Sequence, residues 1–219
     1  MIPLVMHEVC ITARRATWPA ALALHAAGVS IFLGLWGATG GLPLWRASVL
    51  VQLAAVDRIF LSVVITWLSV YTLADGPGGE RQLGDWSALM ARAPESVFRA
   101  RIGAAIVLAS VCTGVAAPVF LAAGESAAAG TVDTLAGLAG SFGFSLLCVG
   151  AAAAATVAMS HRVAAWSFAI VVSVASAFAV RLLDTTMLRI AVPVAAGLVA
   201  MAAATAGVRS RAAESNRAG

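Results

Sequence analysis

The sequence predicts an all-helical integral membrane protein, with six transmembrane helices, an interfacial helix ahead of them and one cytoplasmic helix between the second and third spans. Three observations carry that expectation. Hydrophobic residues make up 61% and charged residues 11% of the 219 positions, with a mean hydropathy of +0.95, whereas soluble domains carry about 25% charged residues. The apolar sequence falls into six runs of membrane-spanning length. The one long polar interruption, residues 75–101, holds four arginines and four acids; at about 2.5–3.5 kcal/mol for each charge at the centre of a span, it must lie in water.

The N-terminal segment places Ile2, Val5, Val9, Ala13 and Ala16 on one helical face and His7, Glu8, Arg14 and Arg15 largely elsewhere, the pattern of a helix lying on the membrane surface. The segment before the first apolar run is long for a signal peptide, and small-residue cleavage matches mean little in so alanine-rich a chain, so the first span is expected to be retained. The spans are expected at about 20–37, 48–74, 102–123, 134–159, 163–180 and 189–207, within one transmembrane domain covering 1–219. The second run, at about 27 residues, is long enough to cross a hydrocarbon core of about 30 Å with tilt. In the fourth, Gly137, Gly140, Ser141 and Gly143 fall within two turns and precede Gly150, which permits close helix contact inside a bundle or across a dimer. Trp18, Tyr71 and Trp166 are among the aromatics near span ends, where an aromatic belt would lie.

Within the central loop, Leu83, Trp86, Leu89, Met90, Ala93 and Val97 recur at steps of three and four, with Asp85, Ser87, Arg92, Glu95 and Arg99 mostly between them. That is a surface helix with one apolar stripe. Pro94 should break or restart it. Two readings stand: a helix resting on the bilayer, or a docking helix for a cytoplasmic partner.

All fourteen basic residues are arginines, giving a net charge of +4. Ten of them fall in the N-terminal segment, the long loop, the turn at Arg162 and the tail, while Arg46, Arg181 and Arg189 fall on the other side. The positive-inside rule then puts the long loop and both termini in the cytoplasm, in a bacterial-type inner membrane. Such a balance suits anionic headgroups, and no basic groove or motif points to nucleic acid. Cys10, Cys112 and Cys148 have no paired spacing, and the last two fall in apolar spans as packing residues.

Three polar residues at depth are candidate site residues. Asp57 and Arg58 interrupt the second span; if buried, they line a translocation path or a dimer interface, and otherwise they mark the end of an outer interfacial helix at Val56, with the true span starting at Ile59. His25 in the first span is either hydrogen-bonded packing or a proton relay. No two histidines share a metal-ligand spacing, so no metal site is expected. An intramembrane enzyme would need Ser30, Ser141 or Ser145 as nucleophile, with His25 as the only histidine at depth and no aspartate pair; no catalytic residue is assigned.

The central loop resembles the cytoplasmic stretch of ABC-2 type transporter permeases, the membrane subunits of type V ABC exporters. The residues that carry the resemblance are Glu80-Arg81, Gly84, Leu89, Pro94 and Ser96, between the second and third of six spans. It implies a dimer of permeases, with a second copy or a homologous chain, coupled to two cytoplasmic ATP-binding subunits through Glu80, Arg81, Leu83, Trp86, Leu89 and Met90, and an amphipathic or lipid-linked substrate. ATP and Mg would sit on the partner subunit and no cofactor on this chain, whose Gly76-Pro-Gly-Gly79 lacks the GxxxxGK[ST] spacing. The family usually has a re-entrant helix pair between the fifth and sixth spans, for which Arg181 to Leu188 leave little room. The haem-exporter-like permeases of cytochrome c maturation have a similar size and span count, and a non-transporting structural or regulatory membrane subunit is the remaining alternative.

Overall fold

The computed structural model describes residues 2–14, 17–38, 47–74, 94–126, 131–159, 161–183 and 185–218. Among them the chain is entirely helical: α1 (Ile2–Arg14), α2 (Thr17–Ala38), α3 (Ala47–Ala74), α4 (Pro94–Ser126), α5 (Thr131–Ala158), α6 (Arg162–Arg181) and α7 (Thr186–Ala218). Glu95–Leu121, Val132–Ala158, Val163–Val180 and Thr186–Glu214 are long and apolar enough to cross a membrane, as expected of a helical membrane protein. The helices α2 and α3 are 22 and 28 residues long, and at 1.5 Å per residue they reach about 33 and 42 Å.

Several boundaries differ from the sequence expectation, each for a local reason. The helix α4 starts at Pro94, well before the expected span at 102, because a proline in the first turn lacks only an amide that has no helical partner anyway. Glu95 follows it in the first turn, where a carboxylate favours the positive end of the helix dipole. The stretch from 94 to 101 therefore belongs to α4, in keeping with a helix restarted at Pro94. Likewise α7 runs on past 207 to Ala218, since alanine and arginine are strong helix formers and leaving an apolar layer does not end a helix. Glu95 also accepts hydrogen bonds from Arg209, with Nη2 3.2 Å from Oε1 and Nε on Oε2, and pairs with Arg99 at 3.0 Å. That clasp joins the start of α4 to the extended end of α7.

Part of the apolar stripe of α1 faces away from the other helices. Ile2 is 78% exposed and Ala13 is exposed, whereas Thr12 is buried and Leu4, Val5, Glu8 and Val9 are half-buried. Val5 sits where a Cβ on Gly103 of α4 would be 3.0 Å away, and Glu8 lies 3.5 Å from Arg101, itself buried. One ion pair to α4 thus turns the helix so that an acid faces the protein. Trp18 is fully buried rather than part of a lipid-facing belt, and its indole N–H donates to the Thr72 hydroxyl at 3.2 Å.

At the centre lies α5, which packs against α7 most extensively and also against α3, α4 and α6. A Cβ added at Gly150 would lie 2.6 Å from the Gly197 carbonyl oxygen, and one at Gly197 would lie 2.7 Å from Leu146 backbone atoms. The two backbones therefore touch. Gly143 meets Ile190 and Val194, and Gly207 meets Val157, so contact positions rise together and the helices run parallel. By contrast, α6 and α7, joined by residues 182–185, touch little. Arg189 Nε donates to the Leu183 carbonyl at 2.9 Å across that turn, and Thr185 Oγ1 caps the Leu188 amide at 3.3 Å.

Gly150→Val should therefore lower stability by about 1–3 kcal/mol, the usual range for overpacking, whereas Gly137→Ala, whose Cβ would meet nothing within 4 Å, should not destabilise. Thermal unfolding of both variants in one detergent checks the contrast.

Candidate functional site

Asp57 and Arg58 lie inside one uninterrupted helix, α3, with no break at Val56. The two side chains serve different neighbours. Asp57 faces α2, where its Oδ1 is 3.8 Å from Nδ1 of His25, and Phe60 stacks on the imidazole with ring centroids 6.1 Å apart. His25 is buried and the Asp57 side chain is 18% exposed. His25 Nε2 and Asp57 Oδ2 have no hydrogen-bond partner, so each group depends on the other for compensation in a medium without water. Arg58 faces the bundle interior, with its guanidinium carbon 5.3 Å from the centroid of the Phe120 ring of α4, close enough for a cation–π attraction.

Arg58 stands at the junction of two spaces. The larger, about 610 Å³, is an open cleft lined by Arg58 and Ile59 of α3, by Asp133, Ala136, Gly137, Gly140 and Phe144 of α5, and by residues from the end of α6 and the start of α7 that include Phe178, Arg189 and Ile190. Its size is in the range of small-molecule sites. The smaller, about 10 Å³, lies among Arg58, Ser62, Thr113, Ser141, Ser145 and Cys148, at the threshold for holding one water.

Below Arg58 a polar face continues along α3. Ser62, Thr66, Ser69 and Thr72 are all buried and recur at steps of four, three and three, which keeps them on one side of the helix. Thr66 and Ser173 of α6 share a hydrogen bond at 3.0 Å, and Thr113 of α4 and Ser145 of α5 share one at 2.7 Å. The Cys148 thiol lies beside the hydroxyls of Thr66, Ser173 and Ser62; Cys112 and Cys148 are both buried and free.

His25, Asp57 and Arg58, singled out from the sequence, are thus brought to one region between α2, α3 and α4. Glu80, Arg81, Leu83, Trp86, Leu89 and Met90 lie outside the described residues. Asp133, just ahead of the expected fourth span, and Arg189, the first residue of the expected sixth, also line the cleft, although neither was a candidate site residue. The hydroxyl ladder was also passed over, although its spacing is visible in the sequence. Ser141 donates to the Gly137 carbonyl and Ser145 to the Ser141 carbonyl, and neither is bonded to His25. Among the described residues no group of three histidines, cysteines or acids could hold a metal ion. Comparison with family models, curated proteins and solved structures gives no match.

If Asp57 and His25 compensate each other, His25→Phe alone should cost about 3 kcal/mol, the lower end for removing one member of a buried pair. The double change His25→Phe with Asp57→Leu should recover part of that loss. Unfolding of the single and double variants in detergent measures the coupling, and simple additivity would show that the pair is not coupled.

Proposed function

We propose that this chain is the membrane-embedded permease subunit of an ATP-driven transporter, with α2 to α7 as its six spans and ATP hydrolysed by separate cytoplasmic subunits. The observation that carries the reading is the cleft: it opens from a bundle of apolar helices, holds charged groups, and ends at an arginine from which a polar face of α3 runs on through the interior. A purely structural membrane subunit has no need of charges at such depth, where they are costly.

Orientation comes from the arginines. The clasp of Glu95 with Arg209 and the pair of Glu8 with Arg101 gather α1, the start of α4 and the end of α7 at one end of the bundle, and the positive-inside rule makes that end cytoplasmic. The segment between α3 and α4 would emerge there, beside α1. Its likeness to the coupling stretch of ABC-2 permeases supports an ATPase docked on Trp86 and Leu89, since aromatic anchors in desolvated pockets dominate such contacts. A second permease copy or a homologous chain would complete the transporter.

The short connection between α6 and α7 favours one variant of this reading. A link of four residues has no room for a re-entrant helix pair, which sets the chain apart from the usual ABC-2 pattern and gives weight to the smaller haem-exporter-like permeases.

Gentle detergent extraction of the tagged chain from its native membrane, followed by mass spectrometry, should recover a stoichiometric ATP-binding subunit. Trp86→Ala should abolish its recovery while leaving the permease in the membrane. Repeated recovery of the chain without an ATPase would overturn the reading.

A further inference from the structure

We propose that Asp57 of α3 and His25 of α2 form a proton-binding site within the membrane, which at neutral pH holds one proton more than the same two groups hold in the unfolded chain, with that proton on the Asp57 carboxyl. The inference stands apart from the transport reading, since it needs only the surroundings of these two side chains.

The unmet atoms decide how many protons the pair holds. Oδ1 of Asp57 and Nδ1 of His25 are 3.8 Å apart, beyond hydrogen-bond length, while Oδ2 and Nε2 are buried with no partner. In an imidazolium both ring nitrogens are donors, and in a carboxylate both oxygens are acceptors. An ion pair would therefore leave a donor and an acceptor unmet on two full charges. Attraction between buried charges offsets their desolvation only when the geometry is close and the remaining atoms are hydrogen-bonded, and neither condition holds here. A carboxylate beside a neutral imidazole is placed worse still, as a lone charge away from water. The neutral acid beside the neutral imidazole leaves no charge uncompensated, and His25 then offers a ring nitrogen as the nearest acceptor for the acid proton.

Among the described residues the other ionisable groups are directed elsewhere or lie at a distance. His25 is the only one on α2, and between Ile102 and Leu121 the neighbouring α4 has only Cys112. On α3, Arg58 lies over the Phe120 ring, and Tyr71 is about 21 Å farther along the helix. Asp133 of α5 lines the cleft with Arg58, and Arg162 and Arg181 stand at the two ends of α6. Glu8 of α1 pairs with Arg101 where α1 meets α4, and His7 is exposed. Phe60 covers one face of the imidazole. Because α2 touches α3 little, the pair is also one of the links that hold the two helices together.

The test is infrared spectroscopy of the full-length protein in nanodiscs of neutral lipid. At neutral pH a protonated-carboxyl absorption should be present, should shift when the protein is grown with isotopically labelled aspartate, and should vanish in Asp57→Asn. Asp57→Glu should move the absorption out of the labelled set, which decides the matter should the amide variant fail to fold. A second readout is the pH dependence of unfolding in detergent. Above about 6.5, the ordinary histidine value, the unfolded chain holds neither proton and the folded pair holds one, so stability should fall as the pH rises. The unfolding equilibrium should shift by about tenfold for each pH unit, and Asp57→Asn should remove that fall. A spectrum without the absorption at neutral pH, an absorption that ignores aspartate labelling or persists in a folded Asp57→Asn, or the same pH dependence in both chains would overturn the proposal. None of these results turns on recovery of an ATPase, so the site and the transport reading stand or fall separately.

Discussion

The backbone contact between α5 and α7 at Gly150 and Gly197 is the constraint on which the rest of the bundle depends. No side chain can stand between the two helices there, since a single Cβ on either glycine would fall within 3 Å of the other backbone. Nothing about apolar surface alone would bring them so close, because lipid tails are as apolar as leucine and the attraction between spans comes from packing and hydrogen bonds. Once α7 is fixed on one side of α5, α6 must find another. It packs on α3 and α5, tied by the hydroxyl pair of Thr66 and Ser173. Consecutive helices joined by a short turn are thereby held on different supports, and the gap between them is the cleft.

Most hydroxyls inside the bundle need no partner on another helix. Ser62, Thr72, Ser110, Ser141, Thr156 and Thr205 each donate to the carbonyl four residues earlier, the local solution open to serine and threonine in a helix. The pairs that cross helices are therefore the informative ones. Trp18 with Thr72, Thr66 with Ser173, and Thr113 with Ser145 link α2 to α3, α3 to α6 and α4 to α5. Each lies on the interior side of its helix. Together they fix which face of α3 turns inward, and so where Arg58 points.

The helices themselves were legible in the sequence, since long apolar runs bounded by charges leave little choice in a membrane. Their faces were less so. In a span with lipid on one side and protein on the other, both sides are apolar, and hydrophobic periodicity carries no orientation; the hydroxyls at 62, 66, 69 and 72 held that information instead. The stripe of α1 is likewise divided: Val5 and Val9 are half-buried and Ile2 is exposed, while Glu8, on another part of the pattern, turns to Arg101. Asp57 and Arg58 stood out as charges within a span, whereas Arg189 and Asp133 looked like ordinary charges at span ends, because only the tertiary arrangement brings the start of α7 to the level of Gly140.

The glycines of α5 show why composition could not separate packing from site. Gly137, Gly143 and Gly150 are the same residue on one helix, and by sequence each permits close approach. A Cβ at Gly150 would strike backbone, one at Gly143 would press on Val194 and the Ile190 carbonyl, and one at Gly137 would stand in open space. Small residues that let helices touch cost nothing further once the contact is made. A small residue with no contact forgoes packing attraction over its whole face, and in a bundle held together mainly by such attraction that is a loss without structural compensation. At Gly137 the open face belongs to the cleft, so the same residue type that seals one part of α5 leaves another part accessible.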